Sequence, residues 1–91
     1  MKICIDPGHG GKDSGAVGPI GLKEKDINLT VALTLGAQLV KMGITVIYTR
    51  TTDVYVSLKQ RTDFANSQGA NYLISVHCNA SNNPIAHGTE T

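Results

Sequence analysis

Three short apolar runs rich in β-branched residues, separated by two stretches of helical periodicity, constrain this chain more than any other feature. The first run is Lys2-Ile3-Cys4-Ile5-Asp6, the second is Ile44-Thr45-Val46-Ile47-Tyr48-Thr49, and the third spans Asn71 to His77. Runs of this length and composition suit buried strands. Between the first two, Ile27, Val31, Leu35 and Leu39 recur at helical spacing, with Leu29, Leu33 and Val40 widening the stripe. The pattern predicts a helix from about Glu24 to Met42, with Asp26 as its N-cap and Gly43 as its C′ residue. Ser57-Leu58-Lys59-Gln60 carries the capping-box pattern. It predicts a second helix from about Leu58 to Gln68, ending at Gly69.

The order β-α-β-α-β predicts an α/β fold: three layers, with a mostly parallel sheet flanked by helices and joined by right-handed crossovers. Three strands and two helices are few for that architecture, because a parallel sheet needs cover on both faces and an open sheet leaves edges. Residues 79–85 read as loop, and Gly88-Thr89-Glu90-Thr91 reads as the opening of another strand. The 91 residues are therefore expected to form one domain, 1–91, that is the first part of a larger one. They are expected to be monomeric, or to be completed by another chain if residue 91 is the true end.

Composition excludes several classes of partner. A net charge of +1, with three tyrosines and one phenylalanine, provides no basic, aromatic surface for nucleic acid. No stretch is long and apolar enough to span a membrane. Met1-Lys2-Ile3-Cys4-Ile5 runs directly into a strand that Asp6 and Pro7 interrupt, which is not a signal-peptide core. Synthesis in the cytoplasm is expected, with any action outside the cell following lysis or release. Cys4 and Cys78 read as small buried hydrophobes. A cytoplasmic start disfavours a disulfide between them. On a strand, Cys78 would point away from the face of His77.

Two histidines sit where strands give way to loops. His9 lies in Ile5-Asp6-Pro7-Gly8-His9-Gly10-Gly11, and His77 in Ser75-Val76-His77-Cys78-Asn79-Ala80. In the strand order 2-1-3 the first and third strands are neighbours, about 4.8 Å apart. Their carboxyl ends form the edge at which open α/β sheets build sites. Two imidazoles there can share a metal ion at about 2.0–2.1 Å each. A catalytic zinc commonly takes three protein ligands and keeps one position for water, so a carboxylate is expected as the third. Glu24 and Asp26 both stand where the first helix begins.

Each residue taken singly has a plainer account. His9 suits a loop surface, and His77 suits a partly buried strand end. Glu24 and Asp26 suit the helix dipole, and the glycine-rich loop suits an anion. The histidines lack a short spacing such as H-E-x-x-H, so their convergence on one sheet edge is the signal. The loop after the first strand matches neither G-x-G-x-x-G nor G-x-x-x-x-G-K-[ST], which argues against a nucleotide-binding domain.

Five stretches in order carry a specific likeness. They are Ile5-Asp6-Pro7-Gly8-His9-Gly10-Gly11; Gly21-Leu22-Lys23-Glu24-Lys25-Asp26-Ile27-Asn28-Leu29; Tyr48-Thr49-Arg50-Thr51-Thr52-Asp53; Leu58-Lys59-Gln60-Arg61 with Ala65-Asn66; and Ser75-Val76-His77-Cys78-Asn79-Ala80. The chain resembles the catalytic domain of zinc-dependent N-acetylmuramoyl-L-alanine amidases, the Amidase_3 type of bacterial autolysins and phage endolysins. The resemblance implies an α/β domain with a mixed sheet flanked by helices, and peptidoglycan as substrate. It implies hydrolysis of the amide between the lactyl group of N-acetylmuramic acid and the L-alanine of the stem peptide. By the same resemblance His9, Glu24 and His77 are ligands of Zn2+, and Asp26 remains the helix cap.

Members of that family continue for a comparable length past the Gly88-Thr89-Glu90 segment, and a further essential glutamate lies near the end of that half. The general base is therefore expected beyond residue 91. Glu90 matches the next strand rather than the base, and His87 reads as a loop histidine. Arg50, Asp53, Arg61 and Asn66 match family positions and read as a structural polar network around the loop after the second strand. Partners that orient the two histidines are expected; Asp6 and Asn79 stand near them in sequence, with neither assigned to that role. An alternative implied by the missing half is a truncated, non-catalytic module that binds zinc and cell-wall fragments.

Overall fold

A computed structural model describes residues 1–78. The elements are β1 (Lys2–Pro7), α1 (Glu24–Lys41), β2 (Thr45–Tyr48), α2 (Leu58–Ser67) and β3 (Tyr72–Val76). The strands form one sheet in the order β2-β1-β3, and both pairings are parallel. The architecture is the expected α/β arrangement, with β1 in the centre. Ile5 pairs with Tyr48 on one side and Ile74 on the other, and Pro7 at the end of β1 pairs with Val76. The expected loop at 79–85 and strand at 88–91, with Asn79, His87 and Glu90, lie outside the described residues.

Side chains alternate between the faces of a strand. Ile3, Ile5 and Val76 join Ala32 of α1 in the buried core, and Val31, Leu35, Leu39, Ile44, Val46, Tyr48 and Ile74 pack against it. The intervening residues of β1 face the other way. There the Asp6 carboxylate meets Arg61 of α2 across a buried ion pair of 2.7 Å. One helix thus covers an apolar face, and the other reaches the opposite face through an arginine.

The start of α1 corrects one expectation. Its N-cap is Lys23, in an extended conformation with no side-chain cap, and Asp26 lies exposed in the first turn. The physical reason is the loop that precedes it. The Glu24 N–H donates to the Ala16 carbonyl (2.8 Å) and the Lys25 N–H to the Ser14 carbonyl (3.1 Å). The open helix donors are therefore met by loop backbone, and no capping side chain is needed. At the other end, Gly43 N–H donates to Val40 O and Ile44 N–H to Leu39 O, with Gly43 at φ 83°. That is the Schellman arrangement expected of a C′ glycine.

The helix also buries a narrower face than the periodicity predicts. Asn28, Ala32 and Gly36, spaced four apart, are its buried centre line, whereas Leu33 and Val40 are exposed. Small residues on that line bring the helix close to the sheet, and Gly36 lies against the Tyr48 hydroxyl. The larger Val31, Leu35 and Leu39 pack to the side.

At α2 the capping box is present in full: Gln60 N–H donates to Ser57 Oγ at 3.1 Å, and Ser57 N–H to Gln60 Oε1 at 2.9 Å. Cys4 and Cys78 carry thiols rather than a shared disulfide. Cys4 is fully buried, and Cys78 packs against the core. Among the described residues, no helix is long and apolar enough to cross a membrane.

Candidate metal centre

β1 ends at Pro7, and the next three residues turn sharply over the end of the sheet. Three successive carbonyls in this turn are held by side chains. Pro7 O accepts from Arg50 Nε (3.0 Å) and Arg61 Nη1 (2.6 Å). Gly8 O accepts from Arg50 Nη2 (2.8 Å) and Asn28 Nδ2 (3.0 Å). His9 O accepts from Arg61 Nη2 (2.8 Å). Guanidinium groups suit this task because they present several donors in a fixed planar fork. The turn places His9 at φ 62°, a left-handed conformation uncommon for a residue with a Cβ.

Farther along the loop, Gly11 is fastened through both backbone groups. Its N–H donates to Asp53 Oδ1 (2.8 Å), and its carbonyl accepts from Lys25 Nζ (3.0 Å). Lys25 and Asp53 also pair with each other at 2.9 Å. Arg50, Asp53 and Arg61 thus form the expected polar network, whereas Asn66 is exposed on α2. Among the described residues, no buried side-chain nitrogen or oxygen lacks a partner.

This scaffold brings His9, Glu24 and His77 together. Each offers one ligand atom, and the three atoms lie within 4.8 Å of one another. Glu24 Oε2 stands 3.4 Å from His9 Nε2 and 3.2 Å from His77 Nδ1. Donors around a tetrahedral ion at about 2.0–2.1 Å are themselves about 3.4 Å apart. These two separations match that edge. The two imidazole rings meet edge to face, with centroids 5.0 Å apart.

Close packing against glycine aims both rings. A Cβ on Gly8 would collide with the His77 ring, and a Cβ on Gly15 with the His9 ring. Hydrogen bonds complete the placement. His9 Nδ1 lies 2.9 Å from Asp13 Oδ2, so its Nε2 faces Glu24. A histidine held by a carboxylate on its outer nitrogen is the common arrangement at metal sites. Glu24 is buried, with Oε1 accepting from the Ala16 N–H (3.2 Å) and Oε2 from Asn28 Nδ2 (3.2 Å). Burial pushes its carboxyl up. The Ala16 and Asn28 hydrogen bonds and the two histidines outweigh that, and hold it below the usual carboxylate range. Asp13 is likewise held low, first by its hydrogen bond to His9.

A cavity of about 200 Å³ opens at this cluster, lined by the two histidines and by Tyr55, Val56 and Leu58. A family model described as N-acetylmuramoyl-L-alanine amidase, Amidase_3, matches residues 3–91.

The chain belongs to this amidase family.

Among its relatives, the sporulation-specific N-acetylmuramoyl-L-alanine amidase of Bacillus subtilis is 48% identical over 82 residues, covering 88% of this chain and 32% of that protein. An amidase structure from Clostridium difficile 630 superposes with a TM-score of 0.85 at 42% identity, covering 96% of this chain and 48% of the other. AmiC2 of Nostoc punctiforme superposes at 0.83, also with 42% identity, covering 87% and 44%. The chain thus spans about a third of the length of this curated relative and under half of these solved chains.

Two residues of the site carry no assignment from sequence, Asp13 and Asn28. Each left a faint trace. Asp13 is the acid nearest His9 in the glycine-rich loop, and Asn28 lies one helical turn after Glu24, on the same face. Asp6 is tied to Thr49, Arg61 and Ser75 rather than to either imidazole.

Proposed function

We propose that this amidase-family chain carries the metal-ligand part of a zinc-dependent peptidoglycan amidase. It acts on the amide between the lactyl group of N-acetylmuramic acid and the L-alanine of the stem peptide. The observation that supports this reading is the meeting of His9, Glu24 and His77 within 4.8 Å of one another beside an open cavity, with Glu24 at tetrahedral edge spacing from each histidine. Two imidazoles and one carboxylate are a donor set that suits zinc and leaves a coordination position open. Zinc held there supplies Lewis-acid polarisation of the amide carbonyl and acidifies water toward neutral pH.

The chain's own residues hold, orient and receive. Asp13 fixes the His9 ring, and the glycines fix where both rings point. Tyr55, Val56 and Leu58 offer an apolar lining beside the histidines. That lining suits the methyl groups on either side of the scissile amide. Among the described residues, the carboxylates lining the cavity are Asp6 and Asp13, and both are engaged by other side chains. We therefore assign proton transfer to a carboxylate outside the described residues.

The engagement of Asp6 and Asp13 also favours a second reading, a module that binds zinc and wall fragments without turnover. Muropeptide treated with a purified chain that spans the whole family domain, and so includes the carboxylate assigned to proton transfer, separates the two. Release of stem peptide that is abolished by a chelator, restored by zinc and lost in His77→Ala supports the amidase. Stoichiometric zinc without release supports the binding module. A folded chain that takes up no zinc overturns both.

A further inference from the structure

Asn28 is an asparagine in the second turn of α1, inside the helix, and its side chain is fully buried. Burying an amide is unfavourable unless its donors and acceptor are all used. Here all are used, and each partner belongs to a different element. Nδ2 donates to Glu24 Oε2 (3.2 Å) on α1 and to Gly8 O (3.0 Å) in the turn after β1. Oδ1 accepts from the Cys78 N–H (2.6 Å) just past β3. Gly8 precedes His9, Cys78 follows His77, and Glu24 is the third member of the cluster.

We propose that Asn28 is the positioning residue of the metal centre: one amide group ties together the three segments that carry His9, Glu24 and His77. The proposal rests on the metal-site reading above. The geometry requires an amide. Aspartate has no donor for Glu24 or for Gly8 O, and leucine fills the space with no polar group. The bond to Glu24 Oε2 points that oxygen toward both imidazoles. The bonds to Gly8 O and Cys78 N hold the segments just past the two strand ends against α1. Loss of an outer partner of this kind typically weakens metal affinity about 10- to 100-fold.

The test compares zinc affinity with metal-free stability in the full 91-residue chain. Zinc dissociation constants are measured by competition with a chromophoric chelator for the wild type, Asn28→Leu, Asn28→Ala and Gly43→Ala. Gly43→Ala strains the same helix from its far end, where φ is 83°. The proposal expects affinity to fall at least tenfold in both Asn28 variants, beyond any change in Gly43→Ala at matched loss of metal-free melting temperature. Equal affinity in folded Asn28 variants and wild type overturns it, leaving Asn28 as core packing alone. If neither Asn28 variant folds, the wild-type side-chain amide resonances of Asn28 decide: they shift on addition of one equivalent of zinc, and unmoved resonances overturn the proposal. A folded wild type that binds no zinc overturns the metal-site reading itself, and this proposal with it.

Discussion

Arg61 of α2 donates through Nη2 to the carbonyl of His9 at 2.8 Å. Its Nη1 meanwhile pairs with buried Asp6 at 2.7 Å and donates to Pro7 O at 2.6 Å. One guanidinium therefore joins the far helix, the central strand and the turn that holds His9 at φ 62°. Backbone conformations of this kind cost on the order of 1–3 kcal/mol and persist where surrounding contacts over-determine them.

Arg61→Lys keeps the charge and removes the fork. A lysine reaches Asp6 or a carbonyl, not all of them, so buried acceptors lose their donors. Partial loss of a buried pair predicts destabilisation of about 2–4 kcal/mol. Urea unfolding of the metal-free chain measures it. A change below about 0.5 kcal/mol, the range of ordinary surface substitutions, would contradict the clamp.

Gly8→Ala adds one methyl group at a position whose backbone has no need of glycine's left-handed freedom; the His77 ring occupies the space. The ring must turn away from Glu24 Oε2, from which His77 Nδ1 stands 3.2 Å. A tenfold or greater loss of zinc affinity is expected, with far-UV circular dichroism unchanged. Unaltered affinity would mean that packing against Gly8 does not aim the ring.

Asp53 is held below its ordinary value of 3.8, first by the Lys25 hydrogen bond and then by the Gly11 N–H. A carboxyl depressed in the folded state binds fewer protons there than in the unfolded chain. Its contribution to stability is therefore complete above pH 3.8 and is lost as pH falls through the lower folded value. Asp53→Asn should lower the urea midpoint at pH 7, with the gap to wild type closing below pH 3.8. Midpoints that stay equally far apart from pH 7 to pH 3 would remove Asp53 from the acid response.

Burial, with Asp6 adding to it, pushes the Cys4 thiol up to about 11. At pH 8 a thiol of that pKa is about one part in a thousand thiolate, the reactive form. In Cys78→Ser, the remaining Cys4 should resist a disulfide reagent in native buffer and react fully in guanidinium. Rapid native labelling would show that β1 opens readily.

Much of this was legible along the chain. Ser57 and Gln60 announce the start of α2, and Gly43 the end of α1, because caps are interactions among residues close in sequence. The β-α-β-α-β alternation led to the β2-β1-β3 order, because right-handed parallel crossovers leave few other arrangements. That order put His9 and His77 at neighbouring strand ends.

The choice between Glu24 and Asp26 lay beyond local pattern. Two residues apart on a helix, they point about 200° apart, so the start and rotation of the helix decide which one faces the histidines. Those are set by backbone pairing across the loop, Glu24 N–H to Ala16 O and Lys25 N–H to Ser14 O. Asp26, placed as a cap by its residue type, is left exposed for the same reason.

Element order, strand adjacency and the kinds of ligand available follow from periodicity, turn residues and chain connectivity, which act over short distances in sequence. The centre itself depends on contacts between distant segments. Arg61 lies 52 residues from the His9 carbonyl it holds, and Asn28 lies 50 from the Cys78 N–H it accepts. Such hydrogen bonds join segments that only the tertiary fold brings together, and no local signal encodes them. Folding turns two histidines and a glutamate into a site by burying polar groups that must find partners where the three segments meet.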